Sequence, residues 1–317
     1  MGNSKVFIAD GIAKEGMAEF ARFPGLETVV RTGLPPAELA RAIGDAEALV
    51  VRSATQADEQ LLAAAPRLKV VGRAGAGVDN IDVKAATARR ILVLNTPGGN
   101  AEAAAELAIA MMFALARHLA AADASMKRGV WDKKSFQGTE LLGKTLGLIG
   151  TGNVGGIVAA RAAAMGMTVI VSDPYLAPEK AAKLGVRMVG LPELYRSADF
   201  ISIHAPRTDE TRGMIHAAAL SAMKDGVILV NCARGGIVVE KDLIAALDSG
   251  KVRGAGVDVF EKEPPEDWAL AKHPKVVAAP HLGASTQEAQ VNVSVMIARQ
   301  IGAYLTRGEI VNAVNKV

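Results

Sequence analysis

Short runs of consecutive apolar residues recur along the chain, and between most of them lie stretches with apolar positions every three or four residues. Val6–Ala9, Leu26–Val30, Ala48–Val51, Lys69–Gly72 and Ile91–Leu94 read as the strands of a first series, with Pro36–Ile43, Ala57–Ala64 and Asp82–Arg89 as its helices. A second series opens at Leu146 and continues through Val169–Ser172, Arg187–Val189, Phe200–Ile203, Val227–Asn231, Arg253–Val257 and Val276–Ala278. Strands alternating with helical patterns predict parallel sheets covered by helices. The most apolar helical pattern, Ala101 to Leu119, stands between the two series. A long one from Thr286 to Thr306 follows them with no strands left to cover, so it is expected to pack back on the first domain. The expected fold is α/β: two doubly wound parallel-sheet domains of Rossmann or flavodoxin type with a hinged cleft between them. Residues 1–98 and 286–317 form the first and residues 99–285 the second.

Composition fits this picture and excludes others. The chain has 317 residues, half of them apolar, which is enough for two cores. Its formal charge of +3 comes from charges scattered singly, with no basic block, so no nucleic acid partner is expected. Glu102, Glu106, Arg117 and His118 interrupt the most apolar helix, which argues against a membrane span. Met1-Gly2 resembles a myristoylation start, but Val6 stands where Ser or Thr is needed. Cys232 is the only cysteine, so neither a disulfide framework nor a thiolate metal site is expected. These features point to a reducing compartment, the cytoplasm.

The first strand of the second series ends in Gly150-Thr151-Gly152-Asn153-Val154-Gly155, the G-x-G-x-x-G pattern, and leads into an Ala-rich helix. The first glycine makes a tight turn, the second lets backbone approach a pyrophosphate and the third permits close helix packing, while the helix start offers amides and partial positive charge. Asp173 ends the next strand about 20 residues on, where a carboxylate would hold ribose hydroxyls. Because Pro174 follows it, and not a phosphate-binding Arg, NAD is expected in preference to NADP. A similar run, Gly75-Ala76-Gly77-Val78-Asp79-Asn80, lacks the third glycine and reads as a strand-to-helix turn able to line a cleft with backbone amides.

Three ionisable residues stand just past strand ends of the second series, where doubly wound sheets bind their ligands. Arg234 could pair with a substrate carboxylate, Glu263 is stiffened by Pro264 and Pro265, and His281 can gain or lose a proton near neutral pH. Together with a dinucleotide turn they make an anion anchor, an orienting carboxylate and an acid–base group at one sheet edge.

Val51-Arg52-Ser53-Ala54-Thr55, Val71-Gly72-Arg73-Ala74-Gly75, Asn95-Thr96-Pro97, Asn231-Cys232-Ala233-Arg234-Gly235-Gly236, Asp258-Val259-Phe260 and Pro280-His281-Leu282-Gly283-Ala284-Ser285-Thr286 closely resemble the D-isomer-specific 2-hydroxyacid dehydrogenases. The resemblance covers nearly the whole chain. It implies Arg234, Glu263 and His281 as the catalytic set, Asp173 as the adenosine-ribose contact and Asp258 as the partner of the nicotinamide carboxamide. His204, Ala205, Cys232, Ala233, Gly283, Ala284 and Ala76 join the implied NAD contacts. The implied substrate residues are Arg52, Ser53, Arg73, Gly75, Ala76, Gly77, Asn100, Arg234 and His281, with Lys133 and Lys134 reaching across a homodimer formed through the nucleotide domain.

The implied reaction moves a hydride between C2 of a small D-2-hydroxy acid and nicotinamide, with His281 exchanging the hydroxyl proton and Glu263 raising the histidine pKa. Arg52 and Arg73 exceed what one carboxylate needs, which favours 3-phosphoglycerate and 3-phosphohydroxypyruvate over unphosphorylated glyoxylate or hydroxypyruvate. An NAD-sensing corepressor-like protein is the alternative of another class. Asn153 stands where many relatives carry Arg, Ala76 replaces a common hydroxyl residue and Arg207 an apolar one. The chain ends at Val317 without the regulatory domains of many relatives, so serine feedback is not expected.

Overall fold

The computed structural model describes residues 3–317; Met1 and Gly2, with the myristoylation-like start, lie outside the described residues. The elements run β1 (Ser4–Ile8), α1 (Lys14–Phe20), β2 (Leu26–Val30), α2 (Pro36–Ala42), β3 (Ala48–Val51), α3 (Glu59–Ala63), β4 (Val70–Arg73), α4 (Val83–Ala88), β5 (Leu92–Leu94), α5 (Ala101–Ala116) and α6 (Leu119–Lys127). They continue with β6 (Thr145–Ile149), α7 (Asn153–Ala164), β7 (Thr168–Ser172), α8 (Pro178–Leu184), β8 (Arg187–Met188), α9 (Leu191–Ser197), β9 (Phe200–Ile203), α10 (Ala217–Ala222), β10 (Val227–Asn231), α11 (Glu240–Asp248), β11 (Val252–Val257), α12 (Ala269–Lys272), β12 (Val276–Ala278) and α13 (Gln287–Arg307).

The chain forms two units. One runs to Ala101 and resumes at Ala284; the other is Glu102–Gly283. The dividing points fall a few residues from those expected at 98 and 285. At the first of them the reason is α5, whose Ala105, Ala108, Met111, Met112 and Leu115 join a core cluster of the second unit.

In the first unit five parallel strands take the order β2-β1-β3-β4-β5. Side chains alternate between the two faces of each strand, and here both faces are covered. Val6, Ile8, Val50, Val70 and Leu92 pack with Phe20 of α1 and with Val293, Ile297 and Ile301 of α13. Phe7, Leu49, Val51, Val71 and Val93 pack against α2, α3 and α4 through Leu39, Leu61, Leu62 and Ala86. Thr286 caps α13 by accepting the Ala289 amide at 3.1 Å. The sequence pattern does not reveal α1, which contains Gly16. A Cβ there would stand 2.7 Å from the Ser294 side chain, so the residue that reads as a breaker is where α1 and α13 touch.

The second unit's seven parallel strands take the order β12-β11-β10-β9-β6-β7-β8. Leu146, Leu148, Val169, Val171, Ile228 and Val230 face α5 and α7. Ile170, Ile201, Ile203, Leu229, Ala255 and Val257 face α9, α10 and α11. The helix expected from Ala101 to Leu119 ends early. His118 takes φ 51° and α6 departs at 65° to α5. Thr139 donates its amide to the Ala116 carbonyl at 2.8 Å, so a loop closes the helix end where the next turn would continue. Among the described residues no single helix is long and apolar enough to cross a membrane.

Candidate active site

In the seven-stranded sheet the chain reverses direction of winding between β6 and β9, and ligands of such sheets bind beyond the carboxyl ends of strands at that point. The turn after β6 is Gly150-Thr151-Gly152, followed at once by the twelve-residue α7. A Cβ on Gly155 would lie 2.2 Å from the Gly150 carbonyl oxygen, so only glycine lets α7 start against the turn. No side chain caps α7 at Gly152, and the space beside Gly152 is open. Its leading amides and partial positive charge therefore fit the pyrophosphate of a dinucleotide.

Asp173 follows β7. One carboxylate oxygen accepts the Thr151 amide at 2.7 Å and the Thr151 hydroxyl at 2.8 Å, and the other accepts the Tyr175 amide at 2.9 Å. Burial would raise its pKa, but these hydrogen bonds outweigh burial and hold the carboxyl below its ordinary value. The same bonds brace the glycine turn against the end of β7. Tyr175, 94% exposed, stands beside it. Asn153 and Val154 open α7, with Asn153 exposed.

His204 follows β9, with Ala205 next to it. The His204 amide donates to Ile149 at 2.8 Å, and Nε2 lies 2.8 Å from the Ser202 hydroxyl. Nδ1 is buried with no hydrogen-bond partner among the described residues. Burial pushes this imidazole down to about 4, so it is neutral at physiological pH and suited to packing beneath the turn.

Arg234 lies on the turn after β10, which Asn231 builds: its side-chain oxygen accepts the Ala233 amide at 3.1 Å and its side-chain nitrogen donates to the Arg234 carbonyl at 3.0 Å. Gly235 is required there, since a Cβ would fall 1.7 Å from the Phe260 carbonyl oxygen. That approach draws the Arg234 turn onto the loop carrying Glu263. Cys232 is buried, its Sγ 3.6 Å from Met111 Sδ, and burial pushes the thiol far up, so it is not a nucleophile.

His281 follows β12 with φ 55°, a left-handed conformation uncommon outside glycine. Asp258, fully buried after β11, holds that loop: its carboxylate accepts the Leu282 amide at 2.6 Å and the Gly283 amide at 2.9 Å, and its carbonyl accepts the His281 amide at 2.9 Å. Burial keeps the Asp258 pKa raised despite these bonds. The result is that His281 Nδ1 and Glu263 Oε2 stand 2.6 Å apart, and Glu263 Oε1 accepts the Phe260 amide at 3.1 Å. The Glu263 hydrogen bond raises the His281 pKa against the opposing effect of burial. Burial would raise Glu263 in turn, but the His281 bond, its charge, the Phe260 amide and the Arg234 charge hold it low. With Nδ1 committed to Glu263, Nε2 is the nitrogen available for proton exchange. The histidine side chain is 46% exposed.

In the first unit Arg52 follows β3 and Arg73 ends β4, both half-buried, with Ser53 exposed beside Arg52. The Arg73 Nε donates to Asn80 Oδ1 at 3.1 Å, and a Cβ on Gly75 would meet the Arg73 guanidinium at 2.1 Å, so the guanidinium lies over the Gly75-Ala76-Gly77 turn. Asn95 donates to the Ala76 carbonyl at 2.6 Å. Asn100 is half-buried just before α5, Ala284 accepts from Gln290 at 2.6 Å, and Lys133 and Lys134 are exposed in the loop after α6. Thr151, Asn80 and Asn231 stand within the glycine and strand-end runs, yet the hydrogen bonds their side chains make have no sequence signal; Asp10, whose carboxylate accepts the Arg52 amide at 2.6 Å, belongs to none of these runs.

The model of the D-isomer specific 2-hydroxyacid dehydrogenase NAD binding domain matches residues 109–283. The chain is 49% identical over 312 residues to D-3-phosphoglycerate dehydrogenase of Archaeoglobus fulgidus, covering 98% of this chain and 59% of that protein. It thus spans little more than half the length of the curated relatives it matches. An NAD+-bound 3-phosphoglycerate dehydrogenase of Entamoeba histolytica superposes with TM-score 0.84 at 30% identity, over 99% of both chains. A glyoxylate reductase of Paecilomyes thermophila superposes with TM-score 0.89 at 30% identity, also over 99% of both.

Proposed function

The chain belongs to the D-isomer-specific 2-hydroxyacid dehydrogenases, and from that premise we propose that it is an NAD-dependent oxidoreductase acting on 3-phosphoglycerate and 3-phosphohydroxypyruvate. One observation carries the reading: the Glu263–His281 pair, in electrostatic reach of Arg234, stands at the strand ends of the sheet that also carries the uncapped glycine turn. Gly150, Gly152, Asn153, Val154, Gly155 and Asp173 would hold the dinucleotide, with His204, Ala205, Cys232, Ala233, Asp258, Gly283, Ala284 and Ala76 as further contacts. Bound there, NAD supplies the hydride acceptor.

His281 Nε2 takes the C2 hydroxyl proton in the oxidation direction and returns it in reduction, while Glu263 fixes the ring and favours its charged form. Arg234 anchors the substrate carboxylate and offsets charge developing on the C2 oxygen. Arg52 and Arg73 bind the phosphate, with Ser53, Gly75, Gly77 and Asn100 as further substrate contacts. The sequence relatives favour the phosphorylated acid over the glyoxylate-type substrate. A homodimer forms through the second unit, where Leu119, Met126, Trp131 and Leu142 are 62%, 54%, 81% and 68% exposed, Met126 and Trp131 lining one hollow with Lys133 and Lys134. A lone, buried cysteine suits the reducing cytoplasm.

The test is a substrate panel with the purified protein: 3-phosphoglycerate, glycerate, lactate, glyoxylate, hydroxypyruvate and 3-phosphohydroxypyruvate, each with NAD(H) and NADP(H). Turnover of the phosphorylated pair with NAD(H), at least tenfold above the others in kcat/KM, is the expected result. Preference for an unphosphorylated acid overturns the substrate; no turnover of any overturns the enzyme reading.

A further inference from the structure

Asn80 is the residue that spoils the second glycine pattern, and it makes three side-chain hydrogen bonds. Its Nδ2 donates to the Arg52 carbonyl at 2.8 Å and to the Thr55 carbonyl at 2.6 Å, and its Oδ1 accepts from Arg73 Nε at 3.1 Å. The amide can be oriented in only one way, because two carbonyls demand the NH2 group and an arginine N–H demands the oxygen. One half-buried side chain thus spans the ends of β3 and β4 and touches both arginine-bearing segments. From β1 the Asp10 carboxylate grips the same loop, accepting the Arg52 amide at 2.6 Å, the Thr55 amide at 3.1 Å and the Thr55 hydroxyl at 2.7 Å. Asp10 holds the Arg52 and Thr55 backbone and the Thr55 hydroxyl, whereas Asn80 links that backbone to the Arg73 side chain.

The Arg52 guanidinium itself donates to the Gly11 carbonyl at 3.2 Å. We propose that Asn80 is a positioning residue that sets the direction of the Arg73 side chain and its separation from the Arg52 loop, and through them the preference for a phosphorylated over an unphosphorylated 2-keto acid. The proposal rests on the reading that these arginines bind the phosphate. A phosphate gains most when two guanidinium groups are held in advance at its spacing, because neither then loses side-chain freedom on binding. An alanine at position 80 would remove the Asn80 acceptor from Arg73 and the two bonds to the Arg52 and Thr55 carbonyls together. An aspartate keeps the shape and the Arg73 acceptor but turns carboxylate oxygen toward the Arg52 and Thr55 carbonyls, where donors are required.

The experiment measures kcat/KM for 3-phosphohydroxypyruvate and for hydroxypyruvate with NADH in the wild type and in Arg52→Ala, Arg73→Ala, Asn80→Ala and Asn80→Asp. Both arginine variants should lower the phosphorylated-to-unphosphorylated ratio. Both Asn80 variants should lower it about tenfold, the loss of one charge-assisted contact, and through KM for the phosphorylated acid more than through kcat. In an Arg73→Ala background the Asn80→Ala change should lower the ratio by less than it does alone, as expected of a residue acting through Arg73. If the arginine variants shift the ratio while both Asn80 variants leave it at the wild-type value, Asn80 is not the positioning residue and the phosphate reading stands. If the arginine variants depress both substrates equally, the phosphate reading itself falls. Should Asn80→Ala not fold, the isosteric Asn80→Asp decides by the same ratio.

Discussion

Two turns in this molecule begin alike and serve opposite ends. Gly75-Ala76-Gly77 and Gly150-Thr151-Gly152 each follow the buried strand of a parallel sheet and lead toward a helix. After the second, Gly155 lets α7 start against the turn, and no side chain covers the leading amides of that twelve-residue helix. After the first, the third position is Asn80, and the helix that follows, α4, has six residues with the Asp82 carboxylate already accepting the Ala85 amide at 2.9 Å. At the helix starts the contrast is in the cap: the Ala85 amide of α4 is taken by Asp82, whereas no side chain caps α7. The comparison teaches that two glycines make a turn, whereas the third position and the helix cap decide what the turn is for. On the proposed function the second turn gives its helix start to the dinucleotide, and the first carries the Arg73 guanidinium over it.

The largest expected effect separates chemistry from binding within the second unit. His281→Ala should lose turnover by roughly 10²–10⁴-fold while NADH binding, followed by fluorescence titration, is retained. Turnover near the wild-type level would make the histidine structural and leave the glycine turn without a catalytic neighbour.

Next in size is the contrast between the third positions. Gly155→Ala places a Cβ 2.2 Å from the Gly150 oxygen and should weaken NADH binding tenfold or more, as overpacking of about 1–3 kcal/mol implies. Asn80→Ala should leave the NADH dissociation constant within about twofold, since distant sites act independently. Equal losses of NADH affinity in both variants would break the distinction between the turns.

The smallest effect is a displaced pH profile. Glu263 raises the His281 pKa, and oxidation of the hydroxy acid needs the neutral imidazole, so activity in that direction falls as pH drops through the raised value. Glu263→Gln removes that charge, and the acid limb of kcat/KM should move to lower pH. An unmoved limb would mean that another group titrates. The histidine's contribution to stability has the companion sign, present below its unfolded pKa and lost as pH rises through the raised folded value, while that of Glu263 is present above its unfolded pKa and lost as pH falls through the lowered one.

The sequence by itself determined the strands, because residues buried on both faces of a parallel sheet must be apolar at successive positions and that pattern is local. It also determined the glycine turn after β6 and the strand-end places of Arg234 and His281, which follow from counting past each apolar run. Only the tertiary structure decided which of those ends become partners. Glu263 and His281 are 18 residues apart in the chain and meet because β11 and β12 are neighbours, with Asp258 fixing the His281 loop. The break at His118 comes from Thr139 taking the Ala116 carbonyl, and α1 tolerates Gly16 because Ser294 of α13 lies against it. Asn80 looks like a defect in a motif until β3 and β4 lie side by side and bring Arg52, Thr55 and Arg73 within reach of one amide. Periodicity records which way a side chain faces, whereas hydrogen bonds between loops depend on strand order, and strand order is set by the packing of the whole sheet.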